Sequence, residues 1–416
     1  MDFSNQQEDA LRKVNTWLKS GDKQVFHFFG YAGTGKTTLA KHIAEGIGGE
    51  VIFAAYTGKA AHVLRSKGCE NACTIHSLIY HSRDKSRVKL VELEHELEML
   101  VKELEQSNMK DDYIEQHSKV RRLRADIKTE SDNSEQPFFV LNTDSIIKDA
   151  DLVIIDECSM VDGQMGPDLL SFGIPVLVLG DPAQLPPVGG AGFFTENVKP
   201  DVMLTDIHRQ AGESPIIRMA TETRNQIALT IGDYGDNCIV HPEGTKLDTE
   251  TMLSFDQILV GKNVTRRLTN SKLRKLKGID DKYPVVGDRL VCLRNNSELG
   301  LLNGAIFEVS DVTGVMDQKV FMSMHPEDSL ASIEISAHEH HFLGTEEHLG
   351  WYEKREAQEF AYGYGLTCHK AQGSQWRSVC VFDESYCFRK DKWRWLYTAI
   401  TRAADNVTVV RMKGNL

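Results

Sequence analysis

Three short apolar runs, each ending abruptly in a polar cluster, limit what this chain can fold into more than any other feature. Val25-Phe26-His27-Phe28-Phe29 leads into Gly30-Tyr31-Ala32-Gly33-Thr34-Gly35-Lys36-Thr37-Thr38. Leu152-Val153-Ile154-Ile155 leads into Asp156-Glu157, and Pro175-Val176-Leu177-Val178-Leu179 into Gly180-Asp181-Pro182-Ala183-Gln184. Apolar runs of this length, bounded by turn residues, read as buried strands of a parallel sheet. Open α/β sheets bind ligands beyond the carboxyl ends of their strands, so the three clusters are expected to form one site.

The first cluster has the pattern of a phosphate-binding loop between a strand and a helix. Its glycines let backbone N–H groups close around phosphate oxygens, Lys36 would neutralise the β- and γ-phosphates, and the Thr37 hydroxyl would ligate Mg²⁺. Gly33, Thr34, Gly35 and Thr38 complete the expected nucleotide cradle. Asp156, at a strand end, would hold Mg²⁺, while the adjacent Glu157 would orient or deprotonate an attacking water. Together the two motifs imply nucleoside triphosphate hydrolysis, because Glu157 has a role in water attack and none in simple binding. On these two motifs alone, a P-loop kinase stays open.

From Cys69 to Gln136 there is no Gly and no Pro, and Leu90, Leu93, Leu97, Leu100 and Leu104 recur at steps of three and four. After a turn-like stretch at 108–112, Tyr113, Val120, Leu123 and Ile127 resume the spacing. The first arm is acidic and the second basic, so antiparallel packing would pair opposite charges and make a helical hairpin. A solvated charged linker is the alternative. Residues 257–260, 379–382 and 407–410 are candidate strands of a second α/β domain, and 284–345 reads as the short strands of a small inserted β-barrel. The expected division is 1–83 with 137–200, the hairpin at 84–136, 201–283 with 346–416, and the β insert at 284–345. A net charge of −12 argues against a histone-like binder and requires any nucleic-acid site to be a local basic groove. No apolar run approaches the roughly 20 residues of a membrane span. The start lacks a signal peptide, and eight scattered cysteines fit a reducing cytoplasm.

Asp156-Glu157-Cys158-Ser159-Met160 followed by Gly180-Asp181-Pro182-Ala183-Gln184-Leu185-Pro186-Pro187 resembles motifs II and III of the superfamily-1 helicases, in their RecD-like branch. The likeness continues in chain order. Gln7 with Ala10-Leu11 resembles the adenine-reading glutamine motif, residues 54–61 motif Ia, and 74–77 the motif after it. Residues 204–210, 367–375 and 397–403 resemble motifs IV, V and VI, and Asn303-Gly304 sits where the family's SH3-like insert carries an Asn-Gly. Mainly the helical hairpin falls outside the resemblance. The resemblance implies an α/β fold of two RecA-like parallel-sheet motor domains with the SH3-like β-barrel inserted in the second; the helical hairpin, read from its own spacing and charge, would be inserted in the first. The resemblance further implies an ATP- and Mg²⁺-dependent DNA helicase moving 5′ to 3′. Arg209 and Arg402 would stabilise charge on the transferred phosphoryl group. Gln184 would report γ-phosphate occupancy, and Gly373 would join the nucleotide contacts.

Single-stranded and forked DNA are the partners implied. Thr57, Lys59, Thr74 and His76 would touch the strand from the first domain, Thr367, His369 and Gln372 from the second, and Asn303 from the insert. Small phage members of the branch carry a β-hairpin wedge where this chain has charged helices. Residues 87–91 and 138–141 would be its stems, Phe138 or Phe139 would stack on the fork base pair, and the helical arm would dock a replication or recombination protein. The resemblance fits a monomer in the cytoplasm of a bacterial cell or a phage-infected host, with no membrane partner. The rival within the motor class is a translocase that strips proteins or works on RNA; outside it, an ATP-driven assembly switch. Cys69-x3-Cys73-x2-His76 lacks a fourth ligand and His338-Glu339-His340-His341 lacks the spacing of a helical zinc site, so neither is assigned a metal.

Overall fold

The computed structural model describes residues 3–82, 96–97, 99–102, 104, 117, 119–124, 126–127, 139–187, 190, 192–206, 214–296, 299–327, 332–349 and 357–414. The described strands before residue 205 are β1 (Val25–Gly30), β2 (Val51–Ala55), β3 (Cys73–Thr74), β4 (Tyr80–Ser82), β5 (Phe139–Leu141), β6 (Leu152–Asp156), β7 (Val176–Gly180) and β8 (Val202–Leu204). Six of them form a parallel sheet in the order β3-β2-β6-β7-β1-β8. The three apolar runs are β6, β7 and β1, side by side, with Val176 in register with both Val25 and Val153. Their polar ends therefore emerge along one edge. β7 is buried along its whole length, which explains a continuous apolar run in place of alternation. Helices Asn5–Ser20, Lys36–Glu45 and Gly58–Ser66 contribute to the core, where Trp17, Leu39 and Leu64 join Phe26, Ile154 and Leu179.

The second half contains β9 (Gly232–Gly235), β10 (Cys238–His241), β11 (Gln257–Val260), β12 (Arg289–Cys292), β13 (Ile306–Met316), β14 (Lys319–Pro326), β15 (Ile333–His338), β16 (Phe360–Tyr362), β17 (Gly365–Thr367), β18 (Trp376–Asp383) and β19 (Ala403–Arg411). A second six-stranded sheet runs β17-β11-β18-β19-β10-β9, parallel except for the edge strand β9. If the parallel strands are numbered within each sheet, starting from β1 and from β10, both sheets read 3-2-4-5-1, with a sixth strand beside strand 1. The chain thus holds two RecA-like domains of one topology. Residues 257–260, 379–382 and 407–410 fall in β11, β18 and β19.

β12 to β16 make a five-stranded antiparallel sheet, β15-β14-β13-β12-β16, around Leu290, Phe307, Met322 and Phe360. Its edge strand β16 lies outside the 284–345 span, because Leu290, Val291 and Cys292 pair with Tyr362, Ala361 and Phe360. The chain divides into two compact units, residues 1–75 with 146–416, and residues 76–145. The first holds all three large sheets. In the second, β4 pairs antiparallel with β5, Ser82 opposite Phe139. Positions 96–97, 99–102, 104, 119–124 and 126–127 there are helical, with Val120 and Leu123 buried. This unit is wider than the 84–136 insert because the strand pair opening it lies at 80–82 and 139–141. Residues 87–91, Phe138 and the turn at 108–112 lie outside the described residues. Among the described residues, no helix is long and apolar enough to cross a membrane.

Candidate active site

β1 ends at Gly30 where nothing larger fits: a Cβ there would lie 2.6 Å from Thr34 Oγ1 and 2.8 Å from Leu204 Cβ. The loop then turns through Gly33 and Gly35 at φ of 78° and 82°, left-handed conformations that favour glycine. Gly35 caps the Lys36–Glu45 helix, placing Lys36, Thr37 and the exposed Thr38 in its first turn, where backbone N–H groups have no partner within the helix. Lys36 Nζ donates to Gly30 O at 2.7 Å and Tyr31 O at 3.0 Å, and Thr34 Oγ1 to Tyr31 O at 2.8 Å. Gln7 stands buried behind this loop. Its Nε2 donates to Thr34 O at 3.2 Å, and its Oε1 accepts from Ser4 N–H at 3.0 Å in the capping box that starts the first helix. The glutamine expected at the adenine is therefore also a strut of the loop. Nothing in the sequence singled out its neighbour Gln6, whose Oε1 accepts from both Thr205 and Asp206 N–H at 2.9 Å beyond β8.

Asp156 closes β6 and accepts from Glu157 N–H at 2.9 Å and from Thr37 Oγ1 at 3.3 Å. Burial, and then the Glu157 carboxylate beside it, push its carboxyl above the usual range. Glu157 adopts φ 51°, a left-handed conformation unusual for a residue with a side chain, which turns the chain off the strand axis. Across the cleft, Arg402 comes from the second domain, only 6% exposed. Its guanidinium donates to Thr398 O at 3.2 Å, Ser374 O at 3.2 Å and Thr401 Oγ1 at 3.4 Å, and Nη1 stands 3.9 Å from Glu157 Oε1. Arg209, the other expected arginine, lies outside the described residues.

The second domain also grips the loop after β7. Leu185 is buried in the second domain's core, where Thr398 Oγ1 accepts from its N–H at 2.9 Å and Gln372 Nε2 donates to its carbonyl at 3.0 Å. Tyr397 OH accepts from Ala32 N–H at 3.1 Å and donates to Asp181 Oδ2 at 2.5 Å. The Arg224 guanidinium stacks 3.5 Å from the Tyr31 ring centroid. Gln184 is buried, and its Oε1 has no partner among the described residues.

This convergence of a phosphate loop, a strand-end acidic pair and an arginine from a second RecA-like sheet has counterparts in known proteins. Residues 2–243, more than half of the chain, match the family model described as an AAA domain, and residues 362–410 match the UvrD-like helicase C-terminal domain. The chain belongs to this AAA-domain family. It is 25% identical over 405 residues to the ATP-dependent RecD2 DNA helicase of Deinococcus radiodurans, covering 90% of this chain and 45% of that protein. An uncharacterised mimivirus protein is 28% identical over 199 residues, 45% of this chain and 34% of its own length. The chain thus spans less than half the length of these curated relatives. A Pif1 structure from a study of DNA unwinding at forked double-stranded DNA shares the fold, with a TM-score of 0.53 at 19% identity, covering 98% of this chain and 92% of that one. Bacteroides Pif1 bound to single-stranded DNA gives 0.51 at 17%, with the same coverage.

On this two-sheet frame the expected strand contacts separate into groups. Thr57 caps the Gly58–Ser66 helix, accepting from Ala60 N–H at 3.2 Å. A Cβ on Gly373 would lie 3.0 Å from Thr57 Oγ1, and one on Gly304 4.0 Å from Lys59 Cβ, so Thr57, Lys59, Asn303 and Gly373 gather where the two motor domains and the β insert meet. Gly373 is thereby beside motif Ia, while Gly33 and Gly35 shape the phosphate loop. His369 lines a cleft of about 1100 Å³ with Pro186, Phe388, Lys390, Trp393 and Arg394. Its ring lies 5.5 Å from Phe388, and burial holds its pKa below the usual value. Thr74 and Thr367 end β3 and β17 and are buried. Gln372 is 2% exposed, with its amide nitrogen bonded to the Leu185 carbonyl of the first domain, which places it between the two domains. His76 belongs to the other compact unit, its ring 5.9 Å from that of Tyr80.

Proposed function

We propose that the chain is an ATP- and Mg²⁺-dependent DNA helicase that moves 5′ to 3′ on single-stranded DNA and separates forked duplex. The observation that carries this reading is Arg402 of one RecA-like domain held 3.9 Å from Glu157 of the other. A guanidinium delivered across the cleft to the residue that orients water ties turnover to the closing of two domains. Lys36 and the loop amides bind the phosphates, Glu157 orients the attacking water and accepts its proton, and Arg402 with Arg209 balances charge gathering on the γ-phosphoryl group. The Thr37 hydroxyl and Asp156 carboxylate form a close pair of oxygen donors suited to a hard divalent cation, which when bound would neutralise phosphate charge.

The strand lies across Lys59 and Asn303 and passes the aromatic and basic cleft at His369, a lining suited to base stacking and phosphate contact. The Deinococcus relative, named as a DNA helicase, supports DNA as the track. In the same reading, the antiparallel sheet of the second domain is an SH3-like insert, the segment 84–136 is a helical hairpin that docks a replication or recombination protein, and the chain works as a cytoplasmic monomer. The test is ATP turnover and strand separation on 5′-tailed, 3′-tailed, blunt and RNA-tailed forks, with Lys36→Ala as the blank. Unwinding of the 5′-tailed fork alone is expected. Turnover indifferent to every nucleic acid would sink the motor and favour an ATP switch.

A further inference from the structure

We infer that Tyr397 is a positioning residue which, from the second motor domain, joins the phosphate loop to the Asp181 strand end and so sets the site for turnover. The inference rests on the ATPase reading above. Tyr397 lies on the Lys392–Ile400 helix and is 1% exposed. Its one hydroxyl is used twice, accepting from Ala32 N–H at 3.1 Å and donating to Asp181 Oδ2 at 2.5 Å. The other carboxylate oxygen of Asp181 accepts from Ala183 N–H at 2.9 Å. A continuous hydrogen-bonded chain therefore runs from the phosphate loop, through a side chain of the other domain, into the turn that carries Gln184.

The environment favours this chain over its alternatives. Asp181 is as buried as Tyr397, so neither group has water as a substitute partner. Burial pushes the Tyr397 hydroxyl well above its ordinary range, keeping it a donor at every working pH. The far end of the same turn is held by the second domain too, through Thr398 and Gln372 on the two backbone groups of Leu185. Gln184 lies between these anchors with its Oε1 unpartnered among the described residues, so the anchors decide where that oxygen points. A phenylalanine would fill the space of Tyr397 but leave Ala32 N–H and the Asp181 carboxylate without their shared partner.

The test uses the full chain as wild type, Tyr397→Phe, Asp181→Asn, the double variant and the Lys36→Ala blank. Steady-state turnover is measured with and without single-stranded DNA, together with amide exchange of the phosphate-loop peptide. For Tyr397→Phe we expect a KM for ATP within about threefold of wild type and a DNA-stimulated kcat lower by about tenfold or more. Asp181→Asn, which cuts the same chain from its other end, is expected to match it and keeps the test alive if Tyr397→Phe does not fold. The double variant is expected to be no worse than either single one, and amide exchange at residues 30–37 to be faster in all three. Unchanged kcat in Tyr397→Phe beside an active wild type, additive losses, or a loss confined to KM would overturn the inference and leave the ATPase reading intact. A wild-type chain with no turnover above the Lys36→Ala blank overturns both.

Discussion

The two six-stranded sheets share a strand order and part company at the end of their first parallel strand. β1 runs into the glycine-rich loop and a helix capped by Gly35, leaving backbone donors at the helix start for an anion. β10 runs into His241-Pro242-Glu243-Gly244-Thr245-Lys246, where Thr245 Oγ1 donates to Pro242 O at 2.8 Å. The next helix, Thr249–Ser254, begins from Asp248, whose carboxylate takes Thr251 N–H at 2.8 Å. An aspartate cap already supplies the negative charge and acceptor that a phosphate would bring, so this helix start has no use for a nucleotide. One topology thus yields two roles. The first sheet presents Lys36, Asp156 and Glu157, while the second sends Tyr397, Thr398 and Arg402 to meet them.

The largest effect tests the chemical half of this contrast. Glu157→Gln should lower turnover by about 10²- to 10⁴-fold while retaining ATP binding, measured by rapid quench and equilibrium binding. A variant that hydrolyses normally would move the chemistry away from the first sheet. Next comes the contact between halves. Leu185 belongs to the first domain's chain but is 1% exposed in the second domain's core. Leu185→Ala should cost about 2–5 kcal/mol in denaturant unfolding and broaden the transition as the domains uncouple.

A smaller effect concerns Asp181, whose carboxyl burial holds above the usual range. The folded chain then binds this proton more tightly than the unfolded one. The associated stability is present below the ordinary carboxylate pKa of about 4 and is lost as pH rises through the raised folded value. Chemical denaturation from about pH 4 to 7 should show that loss in wild type and a flatter profile in Asp181→Asn. The least effect belongs to the second sheet's first loop: Lys246→Ala should leave ATP turnover within about twofold, and binding should titrate to one nucleotide per chain. Two nucleotides per chain would break the contrast.

The first sheet was legible because β6 and β7 are buried on both faces, which leaves a continuous apolar run with a polar break at its end. β10 and β17 are short and mixed, and gave no comparable signal. At the root of the charged arm, the described strand pair is 80–82 with 139–141; of the expected stems 87–91 and 138–141, the first lies outside the described residues. Short strands are placed by their partners more than by composition, so the pairing of 80–82 carries no mark in the sequence. In the site, Lys36, Thr37, Asp156 and Glu157 were readable because strand-to-loop junctions place them. Gln372 looked like a strand contact by its motif, and in the fold its amide serves Leu185.

The two-domain α/β plan, the phosphate loop and the acidic pair are encoded in local patterns of glycine, burial and charge, and so could be read along the chain. Docking of the two sheets alone brings Tyr397 to Ala32, 365 residues away, Thr398 and Gln372 to the N–H and the carbonyl of Leu185, and Arg402 to Glu157. The reason is physical. Hydrogen bonds from a side chain to a distant backbone depend on how two sheets dock, and a backbone N–H or carbonyl is the same in every sequence.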